Sequence, residues 1–136
     1  IILPVDVVTT TEFAAHAANE VVSVSAIDDD KMALDIGMAS LMTMADTVAQ
    51  CETILWNGPM GAFETSPFDA GTIMLARAVA YHTKQGDLHS VAGGGDTVAA
   101  LSHSGLFDQF SYLSTAGGAF LEWIEGKPLP GVAALG

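Results

Sequence analysis

Short, mainly apolar runs alternate along this chain with longer stretches of helical periodicity. Runs over 53–56, 88–92 and 110–113 have the length and content of strands covered on both faces. Two more fall over 21–24 and 1–3, the latter ending before Pro4 or continuing past it to Val8. In the intervals apolar residues recur every three or four positions: Met38, Leu41, Met42, Ala45 and Val48 mark the inner face of a helix over 38–50. Further helices are predicted over 11–17, 67–83, 96–104 and 119–125. Pro67 suits a first helical turn with Ser66 as its cap, Gly86 suits a helix end, and Lys84 lies where a cation complements the helix dipole. Strand and helix in turn, with short connections, predict an α/β fold: a parallel sheet with helices on both faces, a Rossmann-like three-layer sandwich. In that architecture ligands bind at the carboxyl ends of strands.

Two of those strand ends run into glycine. After 88–92 come Gly93, Gly94, Gly95, Asp96 and Thr97, then a helix-forming stretch; after 110–113 come Ser114, Thr115, Ala116, Gly117 and Gly118, then another. Consecutive glycines let a ligand approach the backbone, and a helix start leaves N–H groups that favour an anion. Asp96 is read either as a magnesium ligand beside that anion or as a helix cap. The loop after 53–56, from Asn57 to Glu64, falls at the same sheet edge, so three successive loops converge on one crevice suited to a polyanion.

Charge narrows the ligand. Four basic and sixteen acidic residues give a net charge of −12, the wrong sign for nucleic acid or an anionic membrane. A nucleoside triphosphate would be held only by local attraction from helix dipoles, backbone N–H groups and a bound cation. The single cysteine, Cys51, excludes an internal disulfide and fits a reducing, cytoplasmic setting. No apolar run approaches the roughly 20 residues of a membrane helix, which predicts a soluble protein. The opening, Ile1-Ile2-Leu3-Pro4-Val5, reads as the inside of a strand, so the chain is expected to be a fragment.

Five motifs in order carry a more specific likeness. They are Trp56-Asn57-Gly58-Pro59-Met60-Gly61-Ala62-Phe63-Glu64, Gly71-Thr72, Gly93 to Thr97, Ser114 to Ala119 with Leu121-Glu122, and Glu125-Gly126-Lys127-Pro128-Leu129-Pro130-Gly131. Their order and spacing resemble the carboxyl-terminal, nucleotide-binding domain of phosphoglycerate kinase, from Leu3 to the end of the chain. The resemblance implies phosphoryl transfer between 1,3-bisphosphoglycerate and ADP, giving 3-phosphoglycerate and ATP, with magnesium, in glycolysis. It makes residues 1–136 the later part of that domain, with the phosphoglycerate-binding domain absent and a monomer as the full-length form. Carried over by motif, Gly95, Gly117 and Gly118 would stand at the moving phosphoryl group. Phe13, Leu34, Asn57, Gly58, Pro59, Ala62, Glu64, Gly93, Gly94, Gly95, Asp96 and Thr97 would form the nucleotide site. Asp96 would hold the metal, Glu64 the ribose, and Phe13 and Leu34 the adenine.

Ala116 stands where the family has the first glycine of a triplet, at a cost of roughly 1 kcal/mol if its φ is positive. Ala33 replaces a glycine beside the adenine. Only Lys31, Arg77, Lys84 and Lys127 are cationic, and none lies in a glycine-rich loop. Phosphoryl transfer needs positive charge around the transferred group, so this chain alone is expected to bind nucleotide weakly and to catalyse nothing. A nucleotide- or anion-binding module without catalysis is the alternative. A dinucleotide-dependent oxidoreductase ranks last, because no Gly-x-Gly-x-x-Gly follows the first strand.

Overall fold

The computed structural model describes residues 1–135 and, among them, every side chain but that of Phe120. The strands are β1 (Asp6–Thr10), β2 (Glu20–Ser23), β3 (Met32–Ile36), β4 (Thr53–Asn57), β5 (His89–Gly93) and β6 (Tyr112–Ser114). The helices are α1 (Met38–Val48), α2 (Ala70–Gln85), α3 (Gly95–His103), α4 (Gly117–Ile124) and the short α5 (Pro130–Ala133).

The later half matches the expected architecture. Strands β4, β5 and β6 form a parallel sheet in that order, and α2, α3 and α4 pack against β5. Buried Trp56, Leu75, Val79, Leu88, Leu101 and Phe110 fill the space between sheet and helices. Each strand here is followed by a helix, and the crossover a helix provides is what parallel pairing requires.

The earlier half differs from the expected all-parallel sheet. Strands β2, β1 and β3 form a separate antiparallel sheet, with β1 in the centre and a register shift between Val8 and Thr9. The helix expected over 11–17 is instead a turn. Thr10 Oγ1 donates to the carbonyls of Glu12 and Ala18 and accepts from the Glu12 N–H, so the side chain takes over contacts a helix would make. With no helix between them, β1 and β2 pair directly. Strand β3, which the sequence pattern did not reveal, occupies the other edge of β1.

The chain start is not a strand over 1–3. Regular pairing begins at Asp6, while the N–H groups of Val5 and Asp6 donate to Ser40 Oγ at 2.9 and 3.1 Å. Helix α2 begins at Ala70 rather than Pro67, with Asp69 at the cap position and a cis Ser66–Pro67 peptide. It ends as expected at Gly86, whose φ of 85° belongs to the left-handed region. On α1, Leu41 is buried but Met38 and Met42 are exposed, because the helix meets the rest of the fold along Ser40, Leu41, Met44 and Val48.

Candidate functional site

Parallel register sets the first part of the site. Asn57 pairs with Gly93, and Gly93 with Ser114, so the last residues of β4, β5 and β6 lie side by side. Gly94 turns the chain out of β5 with φ 100°, a conformation that favours glycine, and its N–H donates to the Ser114 carbonyl at 3.0 Å. The two glycine turns meet backbone against backbone. A methyl group on Gly93 would lie 3.2 Å from Gly117 Cα, and one on Gly117 would lie 2.7 Å from the Gly93 carbonyl carbon and from Gly94 Cα.

The third loop is tied to the same place. The Gly58 N–H donates to Thr97 Oγ1 at 2.7 Å, and the Trp56 indole N–H donates to the Gly58 carbonyl. Asn57 Oδ1 would lie 3.2 Å from a methyl group on Gly94. Thr97 is buried on the first turn of α3, whereas Gly95, Asp96 and Gly118 are exposed. Nothing lies within 4 Å of where a side chain on Gly95 or Gly118 would begin. The starts of α3 and α4 therefore adjoin with open space beside them, an arrangement that favours an anion. Ala116 has φ −99°, outside the left-handed region, so it carries no backbone strain there.

The Asp96 side chain forms no hydrogen bond or ion pair among the described residues. No group of three or more histidine, cysteine or acidic side chains among them is placed to hold a metal ion. A divalent cation held by Asp96 would thus take its remaining ligands from phosphate oxygens and water, which is how magnesium commonly binds beside nucleotides.

Between β3 and the loop after β4 lies a cleft of about 430 Å³, lined by Pro4, Val7, Ala33, Leu34, Asp35, Ile36, Pro59, Met60, Gly61 and Ala62. It brings together Leu34, Pro59 and Ala62, three residues expected at the nucleotide. The Ala62 N–H donates to the Leu34 carbonyl at 2.8 Å, and Thr72 Oγ1 accepts from Met60 and Gly61 at 3.0 and 3.3 Å. Phe13 and Glu64 do not line the cleft. Phe13 is exposed on the turn after β1, which is joined to Ser66 through the His16 N–H, and Glu64 is exposed on the loop leading to α2.

Asp35 went unremarked in the sequence. It is 4% exposed, accepts from the Ile36 N–H at 2.8 Å and the Gly71 N–H at 2.7 Å, and packs against Gly61 and Gly71. Burial pushes its pKa up to about 6; the two backbone N–H groups oppose the rise and the Asp69 charge adds to it. The available sequence signal was an acid between Leu34 and Ile36 in an otherwise apolar run.

Comparison with known proteins places this geometry in context. The model of the phosphoglycerate kinase family matches residues 1–127. Phosphoglycerate kinase of Jannaschia sp. (strain CCS1) is 60% identical over 135 residues, covering 99% of this chain and 34% of the relative. That of Methylorubrum extorquens (strain PA1) is 58% identical with the same coverage. The solved phosphoglycerate kinase of Coxiella burnetii superimposes with a TM-score of 0.85 at 47% identity, over 92% of this chain and 32% of that one. That of Pyrococcus horikoshii OT3 gives a TM-score of 0.78 at 27% identity, over 97% of this chain and 31% of that one. The chain thus spans about a third of the length of the relatives it matches.

Proposed function

The chain belongs to the phosphoglycerate kinase family, and from that premise we propose that it supplies the nucleotide and magnesium elements of that enzyme. In this reading it is the later part of the carboxyl-terminal domain. The observation that carries the reading is the contact of Gly93 and Gly94 with Gly117. It sets two helix starts next to each other beside Asp96, while a cleft of about 430 Å³ opens between β3 and the loop after β4.

ADP would place its base against Leu34, Pro59 and Ala62, with Glu64 and Phe13 approaching the ribose and base from their exposed positions. Its phosphates would meet the backbone at Gly93, Gly94, Gly95 and Thr97, with Asn57 and Gly58 beside them. Gly95, Gly117 and Gly118 would direct N–H groups toward the transferred phosphoryl group. Such preorganised donors stabilise charge as it moves from the acyl phosphate of 1,3-bisphosphoglycerate to ADP. Magnesium, held by Asp96, would supply further charge neutralisation on the phosphate oxygens.

None of the four cationic side chains belongs to the three loops. The phosphoglycerate site and its positive charge would therefore come from a separate, substrate-binding domain, and this chain alone would not turn over. Closure of the two parts would exclude water. The full-length enzyme would be a cytoplasmic monomer acting in glycolysis. No helix among the described residues is long and apolar enough to cross a membrane.

Calorimetric titration with MgADP tests the reading. Saturable binding that Asp96→Ala weakens supports the site; no binding by a folded chain refutes it. Supplying the phosphoglycerate-binding part distinguishes an enzyme, which turns over, from a binding module, which does not.

A further inference from the structure

Asp35 is a buried carboxylate with no place in the phosphate chemistry, yet it stands where three parts of the cleft meet. From β3 it accepts the N–H of its neighbour Ile36, and from the start of α2 it accepts the N–H of Gly71, 36 positions away. Its carboxylate fills the space that side chains on Gly61 and Gly71 would need. On either side, Leu34 accepts from the Ala62 N–H, and Thr72 accepts from the Met60 and Gly61 N–H groups. Loop, strand and helix are thus joined around one acidic side chain.

We propose that Asp35 is a positioning residue of the nucleoside cleft: its carboxylate holds Gly71 and Gly61 against β3 and so sets the spacing between Leu34 and Ala62. The proposal rests on the nucleotide reading above. Ionised, the carboxylate offers acceptors to both backbone donors. Protonated, one oxygen becomes a hydroxyl, its acceptor strength falls, and its own proton needs a partner in a place occupied by glycine backbone. The bridge then loosens and the cleft loses its spacing. Burial makes that change fall near a pH of about 6. Among charged groups, Asp69 at the start of α2 faces Asp35 and favours the proton, and His103 lies 3.7 Å from the Asp69 carboxylate.

Adenosine is the suitable probe, because it lacks phosphates that would titrate or recruit magnesium. The unaltered chain is expected to bind adenosine about fivefold more weakly at about pH 5 than at about pH 8. By reciprocal linkage, saturating adenosine should lower the pH at which the Asp35 carboxyl carbon-13 resonance titrates by about one unit. Asp35→Asn, which keeps the shape but presents an amide to one of the two donors, should bind more weakly at about pH 8 and lose the pH dependence. The resonance measurement decides the matter even if that variant does not fold.

Affinity that does not vary with pH, an Asp35 titration unmoved by adenosine, or an Asp35→Asn chain with unaltered affinity and profile would each overturn the proposal. MgADP binding at about pH 8 keeps the two readings apart. If it is retained while the adenosine tests fail, only the role of Asp35 falls; if it is absent, the nucleotide site falls and this proposal with it.

Discussion

Gly117, at the start of α4, rests on Gly94 through backbone alone, so closely that a methyl group on Gly117 would overlap the Gly94 amide nitrogen. The contact fixes how the β5 and β6 turns sit relative to each other. Gly94 adds a hydrogen bond to Ser114 across the same gap. Two glycines separated in sequence thus act as one structural unit at the mouth of the site.

Gly117→Ala should therefore force the turns apart. We expect a loss of about 1–3 kcal/mol, typical of overpacking, together with weaker MgADP binding. Gly118→Ala, whose methyl group meets open space, should leave stability within about 1 kcal/mol. Urea denaturation of the two variants side by side checks the contrast; equal stability would show that the contact does not hold the turns together.

Thr97→Val removes the acceptor of the Gly58 N–H while keeping the side-chain shape. The bond is half-buried. The expected cost is about 1 kcal/mol for the lost hydrogen bond. Amide exchange at Gly58 should also quicken, since the acceptor of its N–H is gone. Unchanged exchange there would show that another group holds the loop.

The folded chain binds the Asp35 proton more tightly than the unfolded chain, because the pKa rises from 3.8 to about 6. Between those values the native state carries more protons, so this residue lowers stability as pH rises from about 4 to about 6 and has no further effect above. Two pKa units correspond to about 3 kcal/mol. Asp35→Asn should abolish that part of the pH dependence in thermal or urea unfolding measured across the window. A variant with the same slope as the unaltered chain would place the titration elsewhere.

Asp6 works in the opposite direction. Burial tends to raise its pKa, but hydrogen bonds from the Ser40 hydroxyl, the Ser40 N–H and the Ala39 N–H outweigh it and bring the pKa below 3.8. Its contribution is present above the ordinary carboxylate range and is lost as pH falls below it. Through these bonds Asp6 caps α1, whose own cap position, Gly37, has no side chain. Asp6→Ala should cost about 1 kcal/mol at neutral pH and less in acid, as measured by urea unfolding at both pH values.

Local chemistry made the turns around the candidate site legible. Strand β5 ending at Gly93, Gly94 turning the chain, and Gly95, Asp96 and Thr97 opening α3 make a short-range pattern in which each residue's conformational preference agrees with its neighbours'. The same holds for β6 and α4, and for Gly86 closing α2. Where propensity misled, at 11–17, the Thr10 hydroxyl formed local bonds that compete with a helix. Strand β3 escaped notice because its apolar run is interrupted by Asp35, an acid that belongs in the interior only when backbone donors from a distant helix reach it.

From the sequence alone follow the strand-to-helix turns, the α/β class, the glycine-rich loops at the strand ends and the family likeness, because all of these depend on residue types at short spacing. Tertiary structure decided that β1 pairs antiparallel with β2 and β3. It also decided that Gly117 seats on Gly94, that Thr97 holds Gly58, and that Asp35 bridges Ile36 and Gly71. These relations join residues whose separation along the chain carries no period and whose meeting depends on how sheets and helices pack. A buried carboxylate is stable only where such packing delivers its donors, so its role becomes visible only in the folded chain.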